Sequence, residues 1–80
     1  MSQIKILAVE DDPIYAESLE LIIKELGYEL VGIVDNALAA LQLVDETLPD
    51  LILMDIEIND SVSGIELAAR INSSRKIPII

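Results

Sequence analysis

Eighty residues and 8.8 kDa leave room for one small domain and exclude a two-domain enzyme, while 15 Asp and Glu against 5 Lys and Arg give a net charge of −10 that repels a phosphate backbone and argues against direct nucleic-acid binding. Without cysteine or histidine the chain can build no disulfide, thiolate metal site or imidazole relay, so its chemistry is carboxylate chemistry. Apolar residues make up 52% of the chain, but Phe and Trp are absent and Tyr15 and Tyr28 are the only aromatics, so the core is aliphatic and base-stacking platforms are missing.

In chain order, residues 4–9 form a short apolar stretch that reads as a buried strand and stops at Glu10, Asp11 and Asp12. Asp12 before Pro13 is a good helix N-cap, and Tyr15, Leu19, Ile22, Ile23 and Leu26 recur at helical spacing until Gly27, which predicts a helix over 13–26. A second strand is expected over 29–34. Asp35 or Asn36 then caps a second helix with a stripe of Leu38, Leu41, Val44 and Leu48, ended by Pro49.

Residues 51–54 are an apolar run too short for a helix, hence a strand buried on both faces that ends at Asp55. Ser63 and Glu66 stand in capping-box spacing ahead of Ile65, Leu67, Ala68 and Ile71, predicting a third helix over 64–73, and residues 77–80 begin a fourth strand. Arg70, Arg75 and Lys76 would offset the dipole of that third helix. Strands alternating with helices call for an α/β fold with a parallel sheet and right-handed crossovers. The longest apolar run is five residues, 37–41, so neither a membrane span nor a signal peptide is expected, and the default location is the cytoplasm.

In open α/β sheets the ligand site lies beyond the carboxyl ends of the strands, and here the first and third strands end in Glu10, Asp11 and Asp55. If those strands are neighbours, their carboxylates crowd together and either take up a proton or hold a cation. Oxygen-only ligands favour a hard ion such as Mg²⁺, beside which Asp55 becomes a plausible nucleophile toward phosphorus. Asp12, Asp50, Asp35, Asn36 and Ser63 are read instead as caps and turn residues. Three glycines without GxGxxG or a P-loop disfavour nucleotide binding.

The segments Val-Glu-Asp-Asp-Pro at 9–13, Leu-Pro-Asp-Leu-Ile-Leu-Met-Asp-Ile at 48–56, Gly-Ile-Glu-Leu-Ala at 64–68 and Ile-Pro-Ile-Ile at 77–80 resemble, in order, the receiver domain of two-component response regulators. The 44-residue separation of Asp11 and Asp55 fits the same family. The resemblance implies a flavodoxin-like doubly wound sheet of strand order 2-1-3-4. Asp55 would be the phosphoacceptor from a histidine kinase, a histidine phosphotransfer protein or a small phosphodonor. Asp11 and Asp55 would hold Mg²⁺ directly, Glu10 through a water, and Glu57 through its backbone carbonyl, with the Glu57 side chain tuning access. The exposed acids Glu17, Glu20 and Glu25 of the first helix would colour a partner-docking face, and a second copy of the chain is a further candidate partner.

Family members complete the site with a Ser or Thr after the fourth strand and a Lys after the fifth. Residues 1–80 are therefore expected to be the first two thirds of a receiver, without the fifth strand and the last two helices, and to depend on the remainder or a partner for stability. Such a domain is a signalling switch that catalyses its own phosphorylation and dephosphorylation and is not otherwise an enzyme. Two other readings compete. A haloacid-dehalogenase-type phosphatase also places an Asp and a following acid after an apolar strand, but at the first strand of a longer chain. A non-phosphorylated interaction module would keep the fold without the chemistry.

Overall fold

In a computed structural model, residues 3–55 and 63–80 are described. Three parallel strands, β1 (Lys5–Val9), β2 (Glu29–Val34) and β3 (Leu51–Met54), form a sheet of order β2-β1-β3 and alternate with helices α1 (Pro13–Glu25), α2 (Ala37–Thr47) and α3 (Gly64–Ser74). The fourth expected strand is reduced to a single parallel bridge between Ile79 and Ile52, held by Ile52 N–H to Pro78 O at 3.0 Å, Ile80 N–H to Ile52 O at 3.0 Å and Met54 N–H to Ile80 O at 2.9 Å. Pro78 brings no N–H to this ladder, which keeps the pairing short. The order 2-1-3-4 is thus a three-stranded 2-1-3 sheet with residues 78–80 lying along β3.

β1 is central and almost entirely buried, and its alternating side chains separate two apolar layers. Leu7 and Val9 join Ala37, Ala40 and Val44 of α2, Ile52 of β3, and Leu67 and Ile71 of α3 in one cluster. Ile6 and Ala8 alternate with them, and Ile23 of α1, itself 2% exposed, is buried outside that cluster. The pairing of β1 with β2 skips a residue, passing from Ile6 opposite Leu30 to Leu7 opposite Gly32. At Gly32 the Leu43 Cδ2 methyl of α2 packs into the space a Cβ would take, so a larger residue there would make that side chain swing aside.

Local signals explain the element ends. Asp12 accepts from Ile14 N–H at 2.9 Å, Asn36 from Ala39 N–H at 2.9 Å and Ser63 from Glu66 N–H at 3.2 Å, so each helix begins at a capping side chain. Asn36, and not Asp35, caps α2. The Glu66 carboxylate pairs with Arg70 at 3.2 Å in place of closing a capping box. Gly27 takes φ +84 after α1, and Leu48 ends α2 in the left-handed region at φ 48, ahead of Pro49. The basic cluster of α3 is divided: Arg70 serves Glu66, while Arg75, the C-cap, reaches Asp45 of α2 at 3.2 Å.

The predicted apolar stripes of α1 and α2 hold in part, with Leu19 and Ile23 on α1 and Leu41 and Val44 on α2 facing the interior. On α1 Tyr15, Ile22 and Leu26 are exposed, and the sheet-facing line is Ala16, Leu19 and Ile23. On α2 Leu38 and Leu48 are exposed, while Ala37, Ala40 and Val44 are buried. β3 is also less covered than expected, with only Ile52 fully buried. Among the described residues no helix is long and apolar enough to cross a membrane.

Candidate phosphoacceptor and metal site

Val9 and Met54 are register partners at the carboxyl ends of β1 and β3, so the residues that follow them, Glu10 and Asp55, leave the sheet side by side. The ladder continues one step past both ends: Glu10 N–H donates to Val34 O at 2.9 Å, and Asp55 N–H donates to Val9 O at 3.0 Å. These bonds fix the backbone beneath both acids from all three strands. Asp11 follows at the mouth of the β1 to α1 turn, whose direction is set by the Asp12 cap and by Pro13 at the first helical position.

Oxygens of Glu10, Asp11 and Asp55 lie within 4.8 Å of one another, and all three residues are half-buried. The crowding registers in Glu10, whose carboxyl is raised above its ordinary value of 4.5. Loss of hydration is the largest cause, followed by its hydrogen bond to the Asp55 carboxyl and the charge of that group, with backbone N–H groups at Asp12 and Asp11 opposing. An all-oxygen donor set of this compactness, strained by like charge, suits a hard divalent cation.

A cavity of about 420 Å³ opens over the three acids and is lined by Glu10, Asp11, Asp12, Asp55 and Tyr15. A neighbouring one of about 370 Å³ lies over the ends of β1 and β2, between Glu10, Val34, Asp35 and Ala39. The structure therefore brings together Glu10, Asp11 and Asp55 of the expected site residues. Glu57, with the rest of residues 56–62, lies outside the described residues. Asp12 is a cap, as its position beside Pro13 implies, although its side chain also borders the cavity.

Tyr15 is the residue that sequence reasoning misplaced. Read as part of the α1 core stripe, it is 64% exposed and forms the α1 wall of the site. Its distance from the cap could have shown this: it is the third helical residue after Asp12, and helical side chains lean toward the helix N-terminus, here toward the strand ends.

The family described as the response regulator receiver domain matches residues 6–80. The phyllosphere-induced regulator PhyR of Methylorubrum extorquens is 31% identical over 77 residues, which is 95% of this chain and 29% of that protein. The transcriptional regulatory protein YdfI of Bacillus subtilis is 36% identical over 77 residues, covering 95% and 36% of the two chains. Among solved structures, the anti-anti-sigma factor PhyR of Bartonella quintana, crystallised in complex with the anti-sigma factor NepR, superposes with a TM-score of 0.87 at 30% identity, over 99% of this chain and 32% of that one. The chain spans about a third of the length of these relatives.

Proposed function

Since the chain belongs to the response regulator receiver family, we propose that it is the phosphoacceptor part of a two-component phosphorelay protein, with Asp55 as the acceptor. The observation that carries this reading is the convergence of Glu10, Asp11 and Asp55 within 4.8 Å at paired strand ends. An Asp55 carboxylate oxygen attacks the phosphorus of the donor, a P–O bond forms, and the bond from phosphorus to the leaving group breaks with its electron pair going to that group. The product is an aspartyl phosphate, an acyl phosphate that water later cleaves to restore Asp55 and release inorganic phosphate. Asp11 and Asp55 would hold a divalent cation directly, Glu10 through a water and Glu57 through its backbone carbonyl. That ion, when bound, supplies positive charge against the charge on the transferring oxygens.

The donor in this reading is a sensor histidine kinase or a histidine phosphotransfer protein, in the cytoplasm, and the chain is a switch with a self-catalysed phosphorylation cycle. The NepR complex of the Bartonella relative supports an output made through protein contacts, and a second copy of the chain is also a candidate partner. Direct contact with nucleic acid is not part of this segment's role, given its net charge of −10.

Intact-protein mass after incubation of the full-length protein with Mg²⁺ and acetyl phosphate tests the reading. A gain of one phosphoryl group, stable in acid and labile in base, is expected, and Asp55→Asn is expected to abolish it. Persistence of the gain in that variant would overturn the assignment of Asp55. No gain with any donor would favour the interaction module, and multiple turnovers of phosphate esters would favour the phosphatase.

A further inference from the structure

We infer that Tyr15 is a binding residue for the phosphodonor, its phenol hydroxyl donating a hydrogen bond to a non-bridging oxygen of the phosphoryl group as that group approaches Asp55. The inference rests on the phosphoacceptor reading of Asp55. Four of the five side chains that line the 420 Å³ cavity among the described residues are carboxyls: Glu10, Asp11, Asp12 and Asp55. An ionised carboxylate can only accept hydrogen bonds, and phosphoryl oxygens also only accept, so a wall of carboxyl groups offers an incoming phosphoryl group little to bind. Tyr15 is the fifth lining residue, and its neutral O–H can donate.

Its placement is built in by the start of α1. Asp12 caps the helix by accepting from Ile14 N–H at 2.9 Å, Pro13 sets the first helical residue, and Tyr15 follows in that same first turn. The backward lean of helical side chains then carries the ring toward the carboxyl ends of β1 and β3. Tyr15 is 64% exposed, so burial in the core does not explain an aromatic at this position. A side chain on a helix is also held more firmly than one on a loop, which suits a group that must meet an incoming donor in one geometry.

The test compares the full-length wild type with Tyr15→Phe and Tyr15→Ala. Phosphoprotein formation is followed by intact mass against acetyl phosphate concentration in saturating Mg²⁺, and Mg²⁺ affinity is measured by calorimetry. Tyr15→Phe keeps the ring and loses only the hydroxyl. We expect its rate constant at low donor concentration to fall by about 3- to 10-fold, the size of one hydrogen bond, through a higher half-saturating donor concentration. Mg²⁺ affinity and melting temperature should stay at wild-type values. A Phe variant with the wild-type donor dependence would overturn the inference, whatever the Ala variant does, because the ring alone would then be acting. An equal loss of Mg²⁺ affinity would also overturn it, by placing the effect on the cation. Failure of the wild type itself to take up a phosphoryl group would sink the Asp55 reading instead, so the two failures are distinguishable.

Discussion

At Glu10, lost hydration and the neighbouring Asp55 act in the same direction, and both hold the proton on. The folded state therefore binds this proton more tightly than the unfolded chain does. The sign follows from linkage: the stability contributed by Glu10 is complete below its ordinary value of 4.5 and is lost as pH rises through the raised value. In metal-free buffer, Glu10→Gln should therefore melt at a higher temperature than the wild type at pH 7, and the difference should shrink as pH falls toward 4.5. Melting curves of both proteins across that range check this, and a difference independent of pH would contradict it. The acids were legible in the sequence because each follows an apolar run that can only be a buried strand. Their mutual contact followed from the residues only on the condition that β1 and β3 are neighbours, and that adjacency came from the family resemblance.

At the level of elements, the boundaries of α1, β2, α2 and β3 could be read from Asp12-Pro13, Gly27, Asn36 and Pro49, because caps and breakers act on the local backbone. The helix phases could be read only in part. Leu19, Ile23, Leu41 and Val44 face the interior as their spacing predicts, but α2 also buries Ala37 and Ala40, and the sheet-facing line of α1 includes Ala16. A small side chain lets a helix axis approach the sheet, while larger neighbours such as Ile22 and Leu38 turn outward. Adjacent residues on α1 make the contrast measurable. Ile23→Ala, at a site 2% exposed, should cost about 2–5 kcal/mol, whereas Ile22→Ala, at a site 52% exposed, should fall within about 0.5 kcal/mol of the wild type. Chemical denaturation of the two variants decides whether α1 has the orientation described.

Over the whole molecule, the βαβ alternation was readable, because alternating strand and helix periods admit few arrangements once crossovers are right-handed. The strand order was not available from residue patterns alone and came from the family resemblance. The start of the fourth strand was readable too: Ile77, Ile79 and Ile80 have the composition of a strand, and residues 78–80 lie parallel to β3 through one bridge and the hydrogen bonds that flank it. The two sides of the sheet are also unequal. α2 and α3 share one apolar cluster with β1 and β3, while α1 turns Ile14, Leu21 and Ile22 to the outside.

The central place of β1 has a kinetic consequence. Lys5 and Asp50, which bond where β1 meets β3, are 45 residues apart, so the sheet closes only after a long loop has been drawn in. Glu10 and Asp55 meet at the far end of that same pairing. Their repulsion belongs to the paired strands and is absent from the unpaired chain, so where this end of the pairing closes after the folding barrier, a cation that relieves it acts on the unfolding rate. Mg²⁺ should accordingly slow unfolding and leave the folding rate nearly unchanged, which stopped-flow refolding and unfolding with and without the ion would measure. Acceleration of folding instead would mean that the acids meet before the barrier. With unfolding alone slowed, the residues proposed to receive the signal would be among the contacts made after the barrier and broken early in unfolding.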